Sequence, residues 1–234
     1  MREALTEGLA ALGRELPEDR IDALCAFGAA LLEKNQVMNL TAITEPQAVA
    51  RLHFLDCIAL LDVADFAGKT VLDVGCGAGF PGVPLKIAEP SMELTLLDSL
   101  KKRVDWLSET LPELGVEAGC VAARAEEYAA GHREGYEIVT SRAVARLSVL
   151  SELCLPLTAV DGVFLAMKAT DSDQEIAEAR KAIHLLGGRL ETVRDYPVPG
   201  AGVLHRAVVI RKVRPTPKAY PRRFAKIKQN PLGL

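Results

Sequence analysis

Between Lys69 and Ile210 the chain alternates short runs of β-branched and aliphatic residues with stretches of helical character. No other feature restricts the fold as much. The β-rich runs are Val71–Val74, Leu94–Leu97, Val116–Ala122, Tyr136–Thr140, Val163–Met167, Leu190–Val193 and Val203–Ile210. Pro81–Ala88, Leu100–Leu111, Val144–Leu157 and Asp173–Leu186 separate them as helices. Such alternation implies parallel strands joined by right-handed crossovers, with helices on both sheet faces. The last two runs are joined by Tyr196–Ala201, with Pro197, Pro199 and Gly200, which is too short for a helical crossover and predicts an antiparallel pair. The expected fold is α/β: a doubly wound, Rossmann-like sheet, mostly parallel, with its last strand antiparallel.

Upstream of the alternation the sequence reads as helix. From Pro17 to Lys34, Ile21, Leu24, Cys25, Gly28, Leu31 and Leu32 form one apolar stripe. The turn Asn39-Leu40-Thr41 interrupts it. A second helix is expected from Thr44 to about Asp62, with Pro46 in its first turn and Thr44-x-x-Gln47 as a capping box. The division is therefore a helical cap (1–66), a ligand-binding α/β domain (67–213) and a basic tail (214–234). Charge supports the last boundary: net charge is −3, yet eight bases and no acid follow Ile210, leaving the first 210 residues at about −11. A body that acidic does not seek polyanions over its whole surface; the tail either meets one or merely solvates the chain end and pairs with the acidic body. No apolar run is long enough to span a membrane, and the amino terminus lacks the pattern of a secretory signal. The five cysteines (25, 57, 76, 120 and 154) contain no C-x-x-C pair. This points to reduced thiols in a cytoplasmic protein, without disulfides or a metal site.

The chemistry begins at Val71-Leu72-Asp73-Val74-Gly75-Cys76-Gly77-Ala78-Gly79-Phe80-Pro81-Gly82. A strand enters a glycine-rich turn that opens a helix, the place where open α/β sheets bind ligands. The second strand ends in Asp98, 21 residues after Gly77, where a carboxylate can accept the hydroxyls of an adenosine ribose. Two ligands compete. Gly77-x-Gly79-x-x-Gly82 satisfies the dinucleotide fingerprint. Asp73-Val74-Gly75-Cys76-Gly77 is equally the D-x-G-x-G loop of class I methyltransferases. Asp73 favours the second: a pyrophosphate gains nothing from that carboxylate, whereas a cationic sulfonium amino acid can use it. Pro81 also removes a helix N-terminal N–H that a pyrophosphate would use. Arg124-Ala125-Glu126 follows the third strand, either beside an adenine ring or simply opening a surface helix. Thr140-Ser141-Arg142-Ala143 closes the fourth strand facing a transfer site.

Absences narrow the acceptor. No cysteine follows a proline, as pyrimidine C5 methylation commonly requires, and no Asn/Asp-Pro-Pro-aromatic motif for amino-nitrogen methylation occurs. An acceptor already nucleophilic at neutral pH remains, and guanine N7, with its unprotonated in-plane lone pair, is one. It needs chiefly proximity and orientation.

Asn39-Leu40-Thr41, His53-x-x-Asp56, the Asp73–Gly82 loop, Leu97-Asp98-Ser99 with Lys102-Arg103, Arg124-Ala125-Glu126, Thr140–Ala145, Leu165-x-x-Lys168 and Tyr220-Pro221-Arg222-Arg223 occur in that order. As a set, spanning about 20 to 232, they resemble the bacterial small-subunit ribosomal RNA methyltransferase G (glucose-inhibited division protein B) family. The resemblance implies a class I methyltransferase fold, S-adenosylmethionine as donor, and N7 methylation of a guanine in the 530 loop of 16S rRNA. Substrate presentation within the small subunit or an assembly intermediate is implied too, without a membrane or obligate protein partner.

The implied cofactor contacts are Gly75, Phe80, Ala125, Glu126 and Arg142; with the loop reading, Asp73, Gly77, Gly79, Asp98 and Ser99 complete the set. Arg142, His53, Asp56 and Asn39 are the catalytic candidates. Lys168, Lys218, Arg222, Arg223, Lys226 and Lys228 are the RNA-binding candidates. Plainer readings pair His53 with Asp56 along one helix, leave Asn39 as a turn cap and turn Lys168 to solvent. Cys57 and Cys76 stand where serine is frequent, and Ala169 where glycine often follows the lysine. A non-catalytic, cofactor-binding assembly protein and a small-molecule or protein methyltransferase are the alternatives.

Overall fold

The computed structural model describes residues 1–142 and 144–233. Seven strands form one sheet in the order β3-β2-β1-β4-β5-β7-β6. They are β1 (Thr70–Val74), β2 (Glu93–Asp98), β3 (Gly119–Ala122), β4 (Tyr136–Arg142), β5 (Thr158–Ala169), β6 (Gly188–Val198) and β7 (Val203–Lys212). β1 to β5 pair in parallel, and β7 inserts antiparallel between β5 and β6. The predicted sheet and its antiparallel last strand are therefore present.

Alternate side chains of each strand reach opposite faces, and each face has its own core. On one, Val71, Leu94, Leu96, Ile138, Leu165 and Val209 pack with α1 (Arg2–Ala11), α2 (Glu18–Met38), α5 (Gly82–Ala88) and α6 (Lys101–Glu113). On the other, Leu72, Val139, Phe164, Val208 and Ile210 pack with α7 (Ala125–Tyr128), α8 (Leu147–Cys154), α9 (Asp173–Leu185) and α10 (Phe224–Gln229). α1 and α10 have no counterpart in the sequence-based reading, whereas α7 is the short helix that the sequence allows Arg124-Ala125-Glu126 to open. No helix among the described residues is long and apolar enough to cross a membrane.

α2 runs four residues past its predicted end and stops at Asn39, whose φ of 51° is a left-handed helix cap. The next helical segment is broken into α3 (Pro46–Val49), a π-helical turn at Ala50–Leu55, α4 (Asp56–Ile58) and a 3₁₀ turn at Ala59–Asp62. The Thr44 capping box does not form. Proline disfavours helical backbone in the residue before it, so Glu45 is extended and becomes the N-cap, with no side-chain cap bond.

The basic carboxyl-terminal segment is not a free arm. Lys212 is fully buried and donates to Thr216 Oγ1 at 2.6 Å. Ile227 of α10 is fully buried, and Arg222 makes a two-pronged ion pair with Glu152 of α8, at 2.8 and 2.6 Å.

Candidate active site

A cavity of about 490 Å³ opens at the carboxyl ends of β1, β2 and β4. Gly75, Gly77, Phe80, Asp98, Ser99, Ala125, Glu126, His53 and Arg142 line it, all foreseen from the sequence; Thr41 and Arg103, motif residues given no site role there, line it too, as does Phe224, which the sequence did not single out. Ala143 of the β4 motif lies outside the described residues.

The loop after β1 holds three consecutive odd-numbered glycines at positive φ: 71° at Gly75, 58° at Gly77 and 92° at Gly79. A Cβ on Gly75 would stand 2.5 Å from Val144 Cγ2, so this glycine answers to packing as well as to backbone conformation. Asp98 shapes the loop. Its Oδ2 accepts the Gly77 N–H at 2.9 Å and its Oδ1 the Leu100 N–H at 2.8 Å, tying β1's loop to the start of α6. At the same end of the cavity, Arg124 Nε donates to Glu126 Oε1 at 2.7 Å.

Two cofactor candidates stand elsewhere. Asp73 is fully buried beneath the loop, off the cavity wall. Its Oδ2 accepts the Gly82 N–H at 2.9 Å and so anchors the start of α5. Burial pushes its carboxyl up to about 7, against the opposing Gly82 bond and the Arg142 charge. Gly79 is turned away as well, its Cα facing Val83 and Leu107. The sequence placed the Asp73 carboxylate toward a ligand; the structure places it against the loop's fourth glycine.

At the opposite end, Arg142 is set by the helical layer. Nη1 donates to Asp56 Oδ2 and to the Leu52 carbonyl, both at 3.4 Å, and Nη2 lies 3.2 Å from His53 Nδ1. Its guanidinium carbon sits 4.7 Å from the Phe80 ring centre, and His53 stacks on the same ring at 4.5 Å. Arginine only donates, so His53 Nδ1 is the acceptor and Nε2–H faces Thr41 Oγ1 at 2.8 Å. Burial, reinforced by Arg142, lowers the His53 pKa to about 4; the ring is neutral at physiological pH.

His53 and Asp56 do not pair with each other. Asp56, almost fully buried, instead accepts from Tyr196 Oη at 2.9 Å and His205 Nδ1 at 2.8 Å. It supports Arg142 from behind and does not line the cavity. Tyr196 and His205 were invisible beforehand because β6 and β7 reach Asp56 only through the sheet order. Asn39 is exposed at the end of α2 and does not line the cavity, which its neighbours Leu40 and Thr41 do. The turn is held by Asn35, whose Oδ1 accepts the Leu40 and Thr41 N–H groups at 2.6 and 2.9 Å; this presents Thr41 to His53.

Residues 20–198 match the sequence profile described as rRNA small subunit methyltransferase G. The chain belongs to that family. The ribosomal RNA small subunit methyltransferase G of Symbiobacterium thermophilum is 47% identical over 240 residues, covering 99% of this chain and 98% of the relative. That of Acetivibrio thermocellus is 40% identical over 235 residues, covering 99% and 97%. Among solved structures, TrmN from Thermus thermophilus superposes with a TM-score of 0.52 at 21% identity, over 67% of this chain and 48% of that one. The mitomycin 7-O-methyltransferase MmcR gives 0.55 at 18% identity, over 80% and 60%. These two likenesses concern the fold, which is the Rossmann-like fold of class I methyltransferases.

For this methyltransferase G family member, two RNA-binding candidates need correction. Lys168 is nearly buried, and its Nζ donates to the Ala145 carbonyl at 2.7 Å and Glu175 Oε1 at 2.6 Å, clasping the segment after β4 instead of facing a phosphate. Arg222 is spent on Glu152, which is fully buried. Lys218, Arg223, Lys226 and Lys228 are exposed.

Proposed function

We propose that the cavity binds S-adenosylmethionine and that the chain transfers its methyl group to N7 of a guanine in the 530 loop of 16S rRNA, in the cytoplasm, on the small subunit or an assembly intermediate. The cavity volume falls within the roughly 300–1,000 Å³ of small-molecule sites. Its residues suit the cofactor: glycines at 75 and 77 leave the backbone uncovered, Asp98 offers a carboxylate at the strand end, and Ala125 and Glu126 form the far wall. Bound there, S-adenosylmethionine supplies an electrophilic methyl on a sulfonium.

The observation that carries the choice of acceptor is the state of the groups around Arg142. His53 is neutral, and both its ring nitrogens are engaged, by Arg142 and Thr41. Asp56 is buried beneath three donors. Cys76 lines the cavity, but burial, reinforced by nearby carboxylates, raises its thiol well above the usual range, so it supplies no thiolate. The site therefore holds and orients an acceptor that needs neither deprotonation nor covalent activation. Arg142, fixed by Asp56 and stacked on Phe80, presents a directed cation, and Phe80 with His53 offers a flat surface beside it. Guanine N7 matches that chemistry.

The test is transfer of radiolabelled methyl from S-adenosylmethionine to small subunits from cells lacking the native modification, followed by mapping of the modified nucleotide. Label at an exocyclic amine, a ribose or a pyrimidine carbon would overturn the acceptor assignment.

A further inference from the structure

Phe224 is out of place for a phenylalanine of this chain. Phe27, Phe54, Phe66, Phe80 and Phe164 are all buried, whereas Phe224 is half-buried and lines the cavity beside Ala123, Arg124 and Glu126. Arg124 lies over its ring at 4.2 Å from the centre, and Glu126 fixes that guanidinium from the side. One face of the ring is thus covered by a cation held in place, while part of the ring remains turned to the cavity. An aromatic surface left open beside small residues and a carboxylate suits a planar, apolar-faced ring with hydrogen-bonding edges.

The segment that carries Phe224 is anchored on both sides. Before it, the Arg222 side chain forks onto Glu152, and the Arg222 N–H donates to the same carboxylate at 2.9 Å. After it, Ile227 is fully buried in the core beneath α8. Lys226 and Lys228, on the same six-residue helix, are exposed. One short element therefore joins a wall of the cavity to an outward basic face.

We infer that Phe224 is a cofactor-binding residue, packing on the adenine of S-adenosylmethionine. This rests on the cofactor reading above.

Calorimetry with S-adenosylhomocysteine tests the wall. Phe224→Ala should weaken binding about tenfold, the loss of one aromatic stacking contact, and Phe224→Tyr should restore it to within about twofold. Methylthioadenosine, which lacks the amino-acid end, should lose the same factor with Phe224→Ala, because the contact is to the ring. Equal affinity of wild type and Phe224→Ala overturns the inference while leaving the methyltransferase reading intact. Absence of any S-adenosylhomocysteine binding by the wild type sinks that reading itself. A loss with Phe224→Ala that Tyr does not rescue, accompanied by a lowered melting temperature, assigns the residue to folding and also overturns the inference.

Discussion

Asp98→Asn separates two roles that converge on one side chain. The carboxylate receives the Gly77 and Leu100 N–H groups on its two oxygens and lines the cavity. Hydrogen bonds to a charged acceptor contribute about 1.5–3 kcal/mol each, against about 1 kcal/mol for a neutral pair. Asparagine keeps one acceptor and turns a second donor toward the other N–H. One charge-assisted bond is lost and the other is reduced to a neutral one, for a cost of about 3 kcal/mol. The cavity admits water to the freed N–H, which brings the net to about 2–3 kcal/mol. For a chain of this length that is a fall in Tm of about 5–10 °C. Urea unfolding measures the stability, and calorimetry with S-adenosylhomocysteine should show at least about a tenfold weaker complex, since the ribose acceptor is degraded together with the loop. An unchanged urea midpoint would refute the claim that Asp98 organises the loop. A lowered midpoint with cofactor affinity preserved would leave it an organiser alone and remove the ribose assignment.

Because His53 is held near 4 and is neutral well above that value, the single-turnover rate should be flat from about pH 6.5 to 9; a tenfold rise per pH unit would require a general base and another acceptor atom. Asp73 titrates near 7 when folded, above its unfolded value of about 3.9, so its contribution to stability is full at low pH and declines as pH rises toward 7. Asp73→Asn, which keeps an acceptor for Gly82, should remove that decline in urea midpoints measured from pH 4 to 8, and parallel curves for the two proteins would contradict the burial argument. Neutralising Lys218, Arg223, Lys226 and Lys228 together should lower the slope of log RNA affinity against log salt by about two if three of them meet phosphate, at about 0.7 each on single strands. Lys168→Gln should leave the slope unaltered, since its ammonium is held by Ala145 and Glu175. An unchanged slope in the four-site variant would move RNA binding to another surface.

Local signals were enough wherever sequence neighbours do the work. Strand periodicity, the three left-handed glycines after β1 and the acid ending β2 depend on residues a few positions apart, and the cavity forms where those elements end. The broken helix ends at Asp62 as its pattern implied, and Pro46 starts it, because proline geometry is a property of the backbone itself. What could not be read was the partner of each charged group. Asp73 bonds to Gly82, and Asp56 to Tyr196 and His205, 140 and 149 positions away. Lys168 and Arg222 look like surface cations in one dimension and are neutralised by Glu175 and Glu152 in three. The carboxyl-terminal segment shows the limit most plainly. Its charge was evident from composition, but its docking depends on buried Ile227 and on a carboxylate of α8 that only the sheet order brings beneath it. A residue's type determines what it can bond to, whereas chain topology decides which partner is within reach and whether water is excluded when they meet.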